Sequence, residues 1–427
     1  MIKQKSVLLY ILLACLVYGS VEGISYLGLL LLQGKGVSYQ PLASRLSQEQ
    51  KQLIQHRIED SVPLSGHHPV LGWAPKLHSH SKDVRINSQG IRADHDFAHV
   101  INPEVVRVSA FGDSFTFGEE VANEDTWEHQ LEEQNPRIEV LNFGVGAYGL
   151  DQAYMRYMED GISFKSDIVL IGFMSENIYR NLNVFRPFYH SSYATNFYTK
   201  PRFLLANDSL VLLNNPLRTT SDYWRLVRND EAVLREIGNH DYFYQIKYMA
   251  GPMDLLPFMR LLKIATRSVK EKLNPVVTPE GSYAVNSEGF RLTTRLLEEF
   301  YCAALQHESL PVIIIFPDLG DFSRHRSHQG KRYEPLLKQL HIKGFRVLDI
   351  LDALVAFDSA LPTDRLTVGQ WGHYSHLGNS IVATFLQDYL NNEKLTVRDN
   401  VKNLVRAACT TNHCCPNSPP RKFTTTD

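Results

Sequence analysis

From residue 103 onward, short runs of β-branched and apolar residues alternate with amphipathic stretches, and this alternation limits the chain to few architectures. The apolar runs fall at 105–111, 138–143, 168–173, 312–316 and 345–348. Between them, residues 126–134, 150–160, 292–306 and 333–340 carry helical spacing. A last helix at 378–391 sets Ile381, Val382, Phe385, Leu386, Tyr389 and Leu390 on one face. Strands joined through helices run parallel, because each crossover returns the chain in the same direction. The expectation is an α/β protein built on a mostly parallel sheet.

Composition is consistent with that. At 427 residues and 48.8 kDa there is enough chain for one large or two moderate domains. Hydrophobic content of 44% and charged content of 21% exclude wholesale disorder. A formal net charge of −2 offers no electrostatic footprint for nucleic acid. The histidines are scattered and form no HExxH or paired CxxC pattern, so neither a metal nor a cofactor is expected. Cys15, in the N-terminal apolar run, and Cys302, in a helical pattern, read as buried inert thiols. Cys409, Cys414 and Cys415 cluster with His413 in a Thr/Asn/Pro-rich tail, 396–427, which reads as a frayed terminus.

Lys3 and Lys5 precede an apolar stretch at 7–21, followed by Glu22 and a second apolar run at 24–32. A carboxylate at mid-bilayer costs about 2.5–3.5 kcal/mol. Glu22 therefore belongs near the outer interface, with 7–21 as most of a membrane span and the lysines on the cytoplasmic side. The remainder then lies outside the cytoplasm, in a periplasm or at the cell surface. Two other routes compete: Val17-Tyr18-Gly19 offers small residues to a signal peptidase, and Leu12-Leu13-Ala14-Cys15 resembles a lipobox. All three export the protein. The reading is 1–33 as anchor, 34–102 as stalk and small β segment, 103–395 as the main domain, and 396–427 as tail.

Residues 183–290 interrupt the alternation. They are rich in Tyr, Phe, Arg, Asn and Pro, and a stretch this long does not stay unstructured inside a compact domain. They read as an inserted cap over the sheet's carboxyl edge, partly helical at 223–237 and 255–269. Its aromatic and Arg residues (Tyr189, Tyr193, Phe197, Tyr198, Arg202, Phe203) suit either stacking on sugar rings or the insert's own core.

Acyl transfer needs a nucleophile, a base, and donors aimed at the developing oxyanion. Gly112-Asp113-Ser114 leaves the first strand through a tight turn and puts one serine at the carboxyl edge of the sheet, where α/β proteins bind ligands. Asn142-Phe143-Gly144-Val145-Gly146-Ala147-Tyr148-Gly149 follows the second strand with three glycines in six residues, a turn able to leave N–H groups free. Asn177 follows the third strand, and His373 precedes the last helix. Each signal alone is weak, because a serine after a strand is commonly a helix cap; their order along the sheet edge gives them value.

These residues resemble the conserved blocks of SGNH hydrolases, also called GDSL-type esterases: Gly112-Asp113-Ser114 with Gly118, then the Asn142–Gly149 turn, Asn177 and His373. The likeness covers roughly 103–182 and 310–390. It implies a flavodoxin-like, three-layer fold with a central parallel sheet of order 2-1-3-4-5, plus the N-terminal transmembrane helix and the inserted cap. It further implies Ser114 as nucleophile and His373 as general base, with an oxyanion hole from the N–H of Ser114, the N–H of Ala147 or Gly146, and the Asn177 amide. The family's glycine stands as Ala147 here, acceptable if its φ is negative. The acid expected two or three residues before His373 is missing, since those positions are Trp371 and Gln370. Either His373 works in a dyad, or a distant acid, Asp364 or Asp318, completes a triad. The implied activity is an exported ester hydrolase on O-acyl groups of a small molecule, polysaccharide or envelope glycan. An acyltransferase and a non-catalytic glycan-binding scaffold are the alternatives.

Overall fold

In a computed structural model, residues 2–35, 46–59, 63–100, 102–189, 197–247, 252–273, 275–357, 363–369, 371–411 and 424–426 are described. Five strands form the central sheet: β1 (Val106–Phe111), β2 (Ile138–Asn142), β3 (Ile168–Met174), β4 (Leu310–Phe316) and β5 (Val347–Asp349). Every residue of β1, β3 and β4 is buried, as expected of strands covered on both faces. The order is β2-β1-β3-β4-β5 with all neighbours parallel, the flavodoxin-like 2-1-3-4-5 arrangement. Pairing runs up to Ala110 with Asn142, Phe111 with Ile171 and Met174 with Phe316. The strands therefore end on one shared edge, and the loops leaving it can meet.

Two groups of helices complete the layers. Trp127–Gln134, Ile350–Phe357 and His376–Asn392 pack on one another, while Leu150–Arg156, Glu288–Gln306 and Arg398–Thr411 form a second group. Arg398–Thr411 corrects the frayed-tail expectation. Val401 and Val405 are buried, Arg398 pairs with Asp167 at 2.6 Å, and Thr424–Thr426 adds a strand beside Ser209–Leu213. The i, i+4 spacing of Val401 and Val405 was a helical signal, outweighed by the polar composition around it. Both cysteines depart from expectation: Cys302 is disulfide-bonded, and Cys15 is a free thiol but exposed.

The insert is structured. It contains the hairpin Arg202–Ala206 and Ser209–Leu213, helices Thr220–Arg228 and Asp230–Gly238 broken at Asn229, and helix Pro257–Leu273. Phe197, Tyr198 and Phe203 are buried, so these aromatics serve the insert's own core; Tyr193 lies outside the described residues. At the N-terminus, Ile2–Gly34 is one helix, and its segment Val7–Gly34 (28 residues, mean hydropathy 2.1) is long and apolar enough to cross a membrane. Glu22 interrupts it, and its Oε2 accepts from the Phe258 N–H at 2.9 Å, satisfying a donor that the first turn of Pro257–Leu273 would leave unmet.

Candidate active site

β1 ends at Phe111, and the chain makes a single helical turn, Ser114–Phe117. Asp113 precedes that turn and accepts the Phe115 N–H at 3.0 Å. Gly112 is required by a close approach, since a Cβ there would lie 2.1 Å from Thr116 Oγ1. Gly144 plays the same part from the next loop, where a Cβ would lie 2.2 Å from the Phe117 nitrogen. The serine turn and the turn after β2 are thus packed backbone against backbone, which brings Ser114 beside Gly146 and Ala147.

Buried arginines staple these turns. Arg92 donates to the carbonyls of Phe117 (2.8 Å), Gly118 (2.6 Å) and Val121 (2.6 Å). Burial lowers its pKa to about 10, still far above neutrality, so the clamp stays cationic. Arg156 holds the carbonyls of Phe143 (2.7 Å) and Gly90 (2.6 Å). Arg180 reaches three loops at once: Asp113 Oδ2 at 3.1 Å, the Tyr148 carbonyl at 3.0 Å and Glu176 Oε2 at 2.7 Å. Burial raises the Asp113 pKa, with Arg180 opposing it. Asp113 therefore braces the loop, and Glu176 shares the same cation from four residues before it.

Ser114, Gly146, Ala147 and His373 line one cavity of about 820 Å³, together with Glu119, Glu120, Asp318, Trp371 and residues of the N-terminal segment and insert. Among the described residues, the N–H groups of Ser114, Gly146 and Ala147 donate no hydrogen bond. Ala147 has φ +64°, not the negative value that would make alanine comfortable. The conformation is imposed from outside: Trp73 Nε1 donates to the Gly146 carbonyl at 3.0 Å, and the Tyr148 hydroxyl donates to the Trp73 carbonyl at 2.6 Å. Asn177 is placed differently. It is buried at the start of helix Asn177–Arg180 with Oδ1 unpartnered among the described residues, and it does not line this cavity.

His373 is buried against Phe115, ring centroids 5.2 Å apart. The carboxylate beside it is neither of the expected acids. Glu120 Oε1 lies 3.4 Å from His373 Nδ1, within ion-pair reach but outside hydrogen-bond geometry. Asp318 lines the cavity but is engaged by Arg332 at 3.2 Å and caps helix Leu319–Arg326, and the Asp364 side chain lies outside the described residues. Glu120 has φ +70°, an uncommon state for a non-glycine residue. Its carboxylate sits over Gly369, where a Cβ would fall 1.7 Å from Oε2. Spacing could not reveal this contact, because Glu120 follows the serine and meets the histidine only through the fold. His376 is exposed and pairs with Asp125 at 2.7 Å.

No protein-family model matches the chain, and no curated protein does. Solved structures are similar over about two thirds of it. A lipolytic protein of the G-D-S-L family from Veillonella parvula is 10% identical, with 67% of this chain and 99% of that one covered and a TM-score of 0.31. An alpha/beta hydrolase enzyme from the metagenome of Lake Arreo, Spain, is 11% identical over 66% and 94%, TM-score 0.35. A catalytic mutant of an acetylxylan esterase from Geobacillus stearothermophilus is 13% identical over 67% and 93%, TM-score 0.30. Scores this low assign no chemistry, which must come from the cavity itself.

Proposed function

We propose that the chain is an exported, membrane-anchored serine ester hydrolase acting on O-acyl esters, such as O-acetyl groups of a polysaccharide or envelope glycan. One observation carries the reading: Ser114 and His373 line one cavity, with unspent backbone N–H groups at the serine and a carboxylate 3.4 Å from Nδ1 of the histidine. In this chemistry Ser114 Oγ attacks the ester carbonyl as His373 Nε2 takes its proton. Glu120 faces Nδ1 and stabilises the imidazolium. The N–H groups of Ser114 and of Gly146 or Ala147 receive the oxyanion. The imidazolium returns its proton to the leaving alcohol, which leaves an acyl-serine. Water activated by His373 then releases the acid. An acceptor hydroxyl in place of water would make the same site a transferase.

The non-catalytic alternative draws on the missing acid before His373; Glu120, 3.4 Å from Nδ1, supports the catalytic reading. Export is supported by the apolar helix Val7–Gly34 and by the disulfide at Cys302, a bond that persists in oxidising compartments. The test compares the full chain in detergent with Ser114→Ala on p-nitrophenyl acetate, alongside fluorophosphonate labelling. Wild type should turn over and label, and Ser114→Ala should lose at least about 10³-fold in kcat and all labelling. Equal rates and no labelling would reject the enzyme.

A further inference from the structure

Four arginines line the cavity, and they are of two kinds. Arg180 and Arg332 are spent on carboxylates: Arg180 on Asp113 and Glu176, Arg332 on Asp318 at 3.2 Å and Asp321 at 3.5 Å. Arg57 meets no carboxylate among the described residues, and Arg186 has only a long ion pair to Glu176. Among the described residues neither guanidinium donates a hydrogen bond. The nearest carboxylate oxygen to Arg186 is Glu176 Oε1 at 3.7 Å, while the other oxygen of that carboxylate is held by Arg180 at 2.7 Å. Arg57 has no ion pair among the described residues and stands 5.7 Å over the Tyr198 ring. Arg186 lies 5.5 Å from the centre of the Tyr189 ring.

Both guanidinium groups are part-buried and line the cavity with donors unused, where a ligand can supply the acceptor. Burial and the neighbouring Arg180 charge lower the Arg186 pKa to about 10, and burial lowers that of Arg57. The carboxylates facing the cavity offer little relief. Asp318 and Glu176 are engaged, Glu120 sits beside His373, and burial raises the Glu119 pKa toward the neutral acid. We propose that Arg186 and Arg57 form a subsite for a carboxylate on the substrate, so that the acylated glycan is an acidic one, built with uronic acid units. A guanidinium fork matches a carboxylate in two hydrogen bonds. The cavity, at about 820 Å³, is large for a simple acyl alcohol and suits an oligosaccharide segment.

The proposal rests on the ester-hydrolase reading for the bond that is cut, but binding can be measured without turnover. Calorimetry on the full-length Ser114→Ala chain would compare a galacturonate trimer with its methyl-esterified counterpart, which keeps the sugars and removes the charges. The acid form should bind at least tenfold more tightly, and its affinity should fall with added salt. Arg186→Gln, in the same background, should abolish the preference; Arg57→Gln should reduce it; Arg186→Lys, which keeps the charge but not the fork, should restore part of it. Equal affinity for the two trimers, or a preference that survives Arg186→Gln in a chain with unchanged circular dichroism, overturns the subsite. Displacement of the trimer by inorganic sulfate but not by acetate would overturn the carboxylate assignment in favour of a tetrahedral anion. Retained acid-selective binding in a chain without Ser114-dependent turnover would defeat the hydrolase reading and leave the subsite standing.

Discussion

The two loops that meet in the cavity are held by different means. The serine loop, residues 112–121, is fixed by charge and backbone: Arg92 takes three of its carbonyls, Arg180 takes Asp113, and Gly144 lets a neighbouring turn lie against it. The histidine loop has little of this. It closes through the two-residue pairing of Thr367–Val368 with His373–Tyr374 and leans on its surroundings. Its supports are Phe115, the Glu120 carboxylate, and Leu319 at the head of helix Leu319–Arg326, against which Gly372 is pressed. The nucleophile thus sits in a rigid frame, and the base is placed by packing and one long ion pair.

The largest effect that would break the contrast is removal of the frame. Arg180→Met strands Asp113 and Glu176 without their cation, and breaking a buried pair costs about 3–5 kcal/mol. Urea unfolding should show a loss of that size together with lost activity. A loss below about 1 kcal/mol would mean that Arg180 does not carry the frame.

The histidine side should respond oppositely, in rate and not in stability. Glu120→Gln should lower kcat about 10²-fold with little change in the thermal midpoint, since the Glu120 side chain is one-third exposed. Gly369→Ala should lower it too, because a Cβ displaces the same carboxylate. Unchanged kcat in both variants would leave His373 acting without an acid.

The support beneath the histidine loop should depend on pH. Asp321 is buried beside Asp318, and burial, followed by that neighbouring charge, raises its pKa to about 7 against an ordinary 3.8. Between those values the unfolded chain gives up this proton first, so deprotonation favours unfolding. The Asp321 contribution to stability should fall as pH rises from about 4 through about 7 and stay flat above. Asp321→Asn should flatten that part of a melting-temperature profile, and an unaltered slope would count against the assignment.

The smallest effect tests the strain at Ala147. Ala→Gly ordinarily costs about 0.5–1 kcal/mol through unfolded-state entropy. At φ +64° the lost strain offsets this, so Ala147→Gly should be neutral or stabilising by up to about 1 kcal/mol in urea unfolding. A full Ala→Gly penalty would show that the alanine is unstrained.

Local pattern was enough for the sheet, its parallel sense, the serine turn and the helix His376–Asn392. Apolar runs buried on both faces announce themselves residue by residue, and glycines mark where backbones must approach. The strand order became legible only through the likeness of Gly112-Asp113-Ser114 and His373 to a known family. Residue spacing alone did not reveal Glu120 beside His373, the reach of Arg180 across three loops, the left-handed Ala147 or the docked helix Arg398–Thr411. Each is a meeting of residues distant in sequence or a conformation imposed by a neighbouring segment, and no local period encodes such a meeting. The sequence determined which residues could do chemistry at the edge of the sheet. Tertiary packing decided which carboxylate stands at the histidine and which arginines are left facing the cavity, because burial and partner choice exist only once the loops have closed on one another.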